Sequence, residues 1–409
     1  MRMRVLAAGC ALALGVLMAP AAVITEAVDA TPPAGACLSP MDPGQVISQV
    51  PWAQNTLAPE RVWPFTQGTG VLVAVIDSGV DTDHPQLAAP GKVLRGFDFI
   101  RNRAGADFDC ISHGTAVASI ITATPEAGLG FHGVAPGARI LPLRVSDLDA
   151  GAGDSGSSVN PTVFAKAIRY AVDNGARVIN LSVVMYTDVA AVRAAVQYAE
   201  RKDVVVVAAV GNQHQQSGAD PTPYPAAYPG VLGVGATTID GVRLDASQVG
   251  PYVDLAAPGG GVLAATRQHG YVFWDGTSFA TPFVSATAAL VRAEYPQLSA
   301  AGVVSRLLAT ADPAPGGPLG PAYGHGIVDP YRAVTESLDG ANPAARPVVL
   351  HTPTPDVAAA QRAAQSRHRA GHANQVVLVV MLLAGAVLLG LTVGSLGRRH
   401  GAGRATWGA

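Results

Sequence analysis

The stretch Val71-Leu72-Val73-Ala74-Val75-Ile76-Asp77-Ser78-Gly79 decides the fold. Its β-branched run predicts a strand, and the carboxylate that ends it lies where open α/β sheets gather their ligands, at the carboxyl edge of parallel strands. Working outward, Ile140–Val145, Val178–Val184, Val204–Ala209 and Val231–Val234 are runs of the same kind. Between them, His113–Thr122, Pro161–Asp173 and Asp188–Glu200 carry alanine and leucine-type residues at helical spacing. Strand and helix in alternation predict one α/β domain over about residues 60 to 340, with a largely parallel sheet and helices on both faces. No internal repeat interrupts it. Asp147–Ser158, rich in Gly, Ser and Asp, and the proline-rich Gln213–Tyr228 read as exposed loops inside the domain.

Taken alone, an aspartate that ends a strand before a glycine turn is an ordinary structural residue. Thirty-six residues later, however, His113-Gly114-Thr115 opens a helix, which aims the imidazole at the same sheet edge, while Gly114 lets another backbone come close. Gly276-Thr277-Ser278-Phe279-Ala280-Thr281-Pro282 then sets Ser278 where an irregular segment turns into a helix running to about Tyr295. First-turn N–H groups have no helical partner, so they can stabilise charge on a substrate oxygen, and Pro282 is expected to sit in that turn without loss. A serine there is by default an N-cap, which is compatible with a nucleophile. Finally, Ala208-Ala209-Val210-Gly211-Asn212 ends a strand in a carboxamide that can donate to an oxyanion, or else is a common turn asparagine.

In the order Asp, His, Asn, Ser, these elements resemble the subtilase family, whose triad runs Asp, His, Ser along the chain. The resemblance extends over about residues 60 to 337, closing on Gly324-His325-Gly326-Ile327-Val328-Asp329. It implies a three-layer subtilisin-like fold and a serine endopeptidase without a cofactor. Ser278 would attack the scissile carbonyl, His113 would take its proton and pass it to the leaving amine, and Asp77 would hold the imidazolium. Asn212 and the Ser278 N–H would form the oxyanion hole. Within the family the chain looks most like the mycosins, the membrane-anchored proteases that accompany type VII secretion systems. That likeness rests on both apolar ends, the loop near Asp147–Ser158, and Cys110 three residues before His113. It implies protein substrates outside the membrane and association with the type VII secretion membrane complex. An alternative is a structural subunit of that complex with proteolysis secondary; a third is a broad degradative protease on the cell surface. The chain departs from the subtilisin pattern on the substrate-lining segments. Ser182-Val183-Val184 replaces the usual Ser-Leu-Gly, and in Ala209-Val210-Gly211 the valine stands where a smaller residue is common. This bulk is expected to narrow the neighbouring pockets in favour of slender side chains.

The two ends read differently from the middle. Arg2 and Arg4, the apolar Val5–Met18 and the small Ala19, Ala21 and Ala22 form a secretory signal peptide within residues 1–30. Residues 31–64, rich in proline and without periodicity, are expected to wrap the 65–338 catalytic domain in extended form and to stay attached. Pro/Ala-rich residues 339–374 read as a linker. Residues 375–397 hold the uncharged Val376–Leu396, long enough for a transmembrane helix, and 398–409 form a short tail. Arginines flank this span on both sides, so orientation follows from the signal peptide: catalytic domain outside, C-terminus cytoplasmic.

A formal charge of -2 with only 14% charged residues offers no basic surface, which excludes nucleic acid as a partner. Of the cysteines at 10, 37 and 110, the first leaves with the signal peptide, because too little apolar sequence precedes it for a lipid attachment signal. Cys37 and Cys110 remain as an even pair in an oxidising compartment, either one disulfide or two buried thiols. No metal motif or carboxylate cluster is present, and Asp81, Asp83 and Asp107 read as surface charges.

Overall fold

The computed structural model describes residues 32–147, 159–214, 220–315, 317 and 319–338. The signal peptide, most of the 147–158 loop, the linker, the transmembrane segment and the tail lie outside these residues. No helix among the described residues is long and apolar enough to cross a membrane.

A helix α1 (Trp52–Leu57) precedes strand β1 (Leu72–Asp77), the short β2 (Phe97–Asp98) and β3 (Arg103–Ala104), and helix α2 (His113–Thr122). Strand β4 (Arg139–Arg144), α3 (Pro161–Asp173), β5 (Val178–Leu181), α4 (Ala190–Arg201), β6 (Val205–Ala209), β7 (Val231–Thr237) and β8 (Leu255–Pro258) follow in alternation. A hairpin of β9 (Val262–Ala265) and β10 (Tyr271–Trp274) leads into α5 (Thr277–Glu294), then α6 (Ala300–Ala309) and α7 (Pro330–Thr335). The described sheet has the order β3-β2-β4-β1-β5-β6-β7-β8, parallel at each pairing except β2 with β3.

The period-2 geometry of a strand sends alternate side chains to opposite faces, and β1 sits between two cores for that reason. Val73 and Val75 join the core under α2 and α5, whereas Ala74 and Ile76 join the one under α3 and α4. All four are fully buried. The strand and helix runs expected from sequence are in place, with small differences: α4 begins at Ala190 rather than Asp188, and the regular part of β5 ends at Leu181 rather than Val184.

The N-terminal segment needs correction. Its first part is extended, but Trp52–Leu57 is helical and Pro59–Arg61 makes a 3₁₀ turn. One and a half turns are too short to display a helical period, and Ala53 and Leu57 are ordered by the core they enter rather than by propensity. The segment is tied along its length: Met41 N–H donates to Cys110 O at 2.8 Å, Gly44 N–H to Thr266 Oγ1 at 2.7 Å, and Trp63 Nε1 to Val134 O at 3.1 Å. Of the two cysteine alternatives the structure holds the disulfide, Cys37–Cys110, across a separation of 73 residues. The chain-entropy view values such a closure at roughly 4 kcal/mol.

Candidate active site

Parallel order brings the carboxyl ends of β1, β5 and β6 to one rim, next to the N-termini of α2 and α5. At that rim His113 Nδ1 lies 2.7 Å from Asp77 Oδ1, and each residue is only 3% exposed. The approach depends on Gly114, because a Cβ there would collide with the Gly79 carbonyl and press on the Asp77 side chain. Gly114 N–H donates instead to Ser78 Oγ at 2.9 Å, closing the joint between helix and strand end.

Behind this pair stands Asp109, fully buried. It accepts from Ser78 Oγ (3.0 Å), Ile111 N–H (3.0 Å), Ser112 N–H (3.1 Å), Thr115 N–H (2.9 Å) and Thr115 Oγ1 (2.8 Å). It thereby caps α2, a role its formal N-cap Ser112 does not fill, since Ser112 adopts the left-handed φ of 65° and makes no side-chain cap bond. Burial pushes the Asp109 carboxyl above its ordinary range, while the Thr115 and Ile111 donors pull the other way. Sequence reasoning missed Asp109; a carboxylate four residues before a helix-opening histidine was the available signal.

Across the rim, Ser278 is the second residue of α5 and 5% exposed. Its Oγ donates to Ser182 O at 3.2 Å, and Ser182 Oγ returns a bond to Ser278 O at 2.8 Å. The return bond explains Pro282. It lies in the second turn, not the first as expected, so its missing N–H leaves the carbonyl four residues back, that of Ser278, to be satisfied by another donor. A buried chain continues behind it: Asn180 Nδ2 donates to Ser182 Oγ at 3.0 Å and Ser285 Oγ to Asn180 Oδ1 at 2.8 Å. Phe279, next to Ser278, packs against the His113 ring with centroids 5.1 Å apart, and Trp274 stacks on Phe279 at 4.9 Å.

Asn212 stands beside α5. Its Oδ1 accepts from Thr277 N–H at 2.9 Å and Thr277 Oγ1 at 3.1 Å, so the Nδ2 end is turned away from Thr277. Asp77 is thus paired with His113, Asn212 with the residue preceding Ser278, and the two pairs are linked by the packing of Phe279 on the His113 ring. One part of the substrate-lining expectation, the effect of the Val210 side chain, needs correction. Val206, Ala208 and Val210 share one face of β6 and its continuation, and Val210 packs wholly in the core, close to Gly233. Val183 and Ala209 are buried as well, leaving Val184 half-buried. The bulk of Val210 thus fills the interior instead of narrowing a pocket, and strand parity carried that signal. Asp81 is a further correction: it is 2% exposed, accepting from Asp83 N–H at 2.9 Å and Gln268 N–H at 3.0 Å, and burial raises its pKa to about 6. Asp83 is exposed and Asp107 half-buried. A cavity of about 850 Å³ lined by His214, Asp220, Tyr224, Tyr228 and Tyr252 lies outside the rim, without Ser278 or His113 in its walls.

This fold and rim belong to one class of protein. The chain is a member of the subtilase family, whose model matches residues 68–326, and it is a subtilisin-like serine protease. It is 32% identical to mycosin-1 of Mycobacterium tuberculosis strain ATCC 25618 / H37Rv, over 89% of this chain and 88% of the relative. It is 36% identical to thermitase of Thermoactinomyces vulgaris, over 69% and 94%. Among solved structures it resembles MycP1 from the ESX-1 type VII secretion system, with a TM-score of 0.65 at 29% identity, covering 75% of this chain and 92% of that one. The chain is thus a homologue of the mycosins of type VII secretion.

Proposed function

We propose that the protein is an endopeptidase cleaving protein substrates outside the cytoplasmic membrane, with Ser278 as nucleophile, His113 as base, Asp77 as its orienting carboxylate and Asn212 as oxyanion donor. The 2.7 Å bond between the buried His113 and Asp77 carries this reading. With Nδ1 donating to Asp77, the other ring nitrogen, Nε2, is the one that accepts the Ser278 Oγ proton as Oγ bonds to the scissile carbonyl carbon. The carbonyl oxygen takes negative charge, which Asn212 Nδ2–H and the Ser278 N–H stabilise. Collapse breaks the C–N bond, and His113 gives the proton to the departing amine. Water then attacks the acyl-enzyme by the same route and restores Ser278. The resemblance to the mycosins supports association with a type VII secretion membrane complex, and the uncharged Val376–Leu396 supports a single transmembrane anchor with the C-terminus cytoplasmic.

A fluorophosphonate probe tests the nucleophile. The parent chain is expected to become labelled at Ser278 and lose hydrolysis, while Ser278→Ala takes no label and cleaves nothing; a folded parent that resists labelling would overturn the assignment. Replacing the chromosomal copy with Ser278→Ala, beside a full deletion, tests the secretion link through the pattern of cleaved extracytoplasmic proteins.

A further inference from the structure

Gly211, between the core strand and Asn212, adopts a φ of 94°, a left-handed conformation that leaves it no intrinsic preference for one orientation of the next peptide. It is held from several sides. Its N–H donates to Thr277 Oγ1 at 3.1 Å, and its carbonyl accepts from Gln248 N–H at 3.0 Å. The Gln248 side-chain oxygen, with the Tyr186 hydroxyl beside it, occupies the space where a Cβ of residue 211 would stand. Gln248 is fully buried, and both ends of its amide are engaged: Oε1 accepts from Tyr186 Oη at 3.0 Å, and Nε2 donates to Pro221 O at 2.6 Å. An amide with donor and acceptor both committed cannot flip or swing without losing two bonds. Tyr186 itself extends from the Ser182–Val184 segment, whose Ser182 is bonded to Ser278.

We propose that Tyr186 and Gln248 are positioning residues that fix the Gly211–Asn212 corner, and so the direction in which the Asn212 amide meets the substrate oxygen. The inference rests on the oxyanion role given to Asn212 above. Burial pushes the Tyr186 phenol up to about 12, so it remains a donor throughout the working pH range. Tyr186 reaches Asn212 through Gln248 and Gly211, so its effect on turnover requires the Asn212 side chain to be present.

The experiment is a double-mutant cycle on the full chain, with steady-state hydrolysis of a p-nitrophenyl ester as the readout. Tyr186→Phe keeps the ring and removes one hydroxyl, the donor to the buried Gln248 Oε1. It is expected to lower kcat about threefold to tenfold, the range a single hydrogen bond commands, with KM unmoved and the thermal midpoint lowered by only about 2 to 4 °C. In an Asn212→Ala background the same substitution is expected to cost nothing further. Gln248→Met, which keeps the length of the side chain but removes its hydrogen bonds with both Tyr186 and Pro221, is expected to lower kcat at least as far as Tyr186→Phe, and likewise to cost nothing further in kcat in the Asn212→Ala background. Equal losses from Tyr186→Phe in both backgrounds would overturn the inference while leaving the Ser278 reading intact. So would a fall in the thermal midpoint with unchanged kcat. Failure of Ser278→Ala to abolish turnover would instead sink the underlying reading.

Discussion

The two sides of the rim are built from different chemistry. On the Asp77–His113 side the buried groups are ionisable: Asp77, Asp81, His84 and Asp109 are each no more than 3% exposed. On the Asn212–Ser278 side they are neutral: Asn180, Ser182, Thr277, Gln248 and Ser285, none above 1%. Burying a carboxylate carries a large desolvation cost, which must be offset by converging donors; this is why Asp109 collects five of them. Burying a hydroxyl or carboxamide requires only one good partner for each polar atom. The charged side is consequently where pH and charge-removing substitutions should act on stability. The neutral side should respond mainly in turnover.

The largest effect expected from either side is on catalysis. Asn212→Ala should reduce kcat by about 10² to 10³, a magnitude measured in subtilisin for loss of one oxyanion donor. Ester hydrolysis at saturating substrate reads it, and a loss below about tenfold would remove Asn212 from the oxyanion role. On the charged side the comparable blow falls on the fold. Asp109→Ala strands Ser78 Oγ, three backbone N–H groups and Thr115 Oγ1, and should destabilise the chain by about 4 kcal/mol in a denaturant titration. A loss near 1 kcal/mol would mean that water replaces the carboxylate without difficulty, and the contrast between the two sides would weaken.

Legibility from sequence divides along the same line. Strand β1, helices α2 and α3, and the order Asp, His, Asn, Ser were readable because each is a local pattern: a β-branched run, a helical period, a short motif. The hairpin β9–β10, strand β8 and α1 were not, since Leu255–Pro258 and Val262–Ala265 lack the β-branched run that marks β1, and the hairpin and α1 take their shape from tertiary contacts. The four residues proposed to react, Asp77, His113, Asn212 and Ser278, could be named because their motifs are local too. Their supports, Asp109, Gln248 and Tyr186, were missed because each is an ordinary loop or strand-exit residue whose role exists only once distant segments meet. Val210 failed for another reason: the motif position suggested a pocket, while the strand's own parity assigned the side chain to the core.

His84 sharpens the pH side of the comparison. It is 1% exposed, and burial lowers its pKa to about 4 from the ordinary 6.5. The unfolded chain therefore takes a proton that the folded chain refuses, so stability falls as pH drops from about 6.5 to about 4, by up to roughly 3 kcal/mol. Asp81, raised to about 6, acts in the opposite sense: folded protein binds its proton first, which favours the fold as pH falls from about 6 toward 4. The two nearly cancel in the parent, so His84→Gln should leave the Asp81 contribution exposed, turning a nearly flat unfolding free energy between about pH 6.5 and 4.5 into one that rises by about 2 kcal/mol as pH falls. Parallel curves for parent and variant would remove His84 as the acid-sensitive group.

The smallest effect tests the neutral side. Ser285 Oγ donates to Asn180 Oδ1 at 2.8 Å, Asn180 Nδ2 to Ser182 Oγ at 3.0 Å, and Ser182 Oγ to Ser278 O at 2.8 Å. Ser285→Ala leaves one buried carboxamide oxygen short of its donor but keeps the two bonds that reach Ser278. Stability should fall by about 1 kcal/mol, and kcat by less than about threefold. No partner in the chain carries charge, so the loss should be the same at pH 5 and pH 8. A loss that grew on acidification would mean that a proton from the charged side is felt across the rim, and the two halves would then have to be treated as one coupled network.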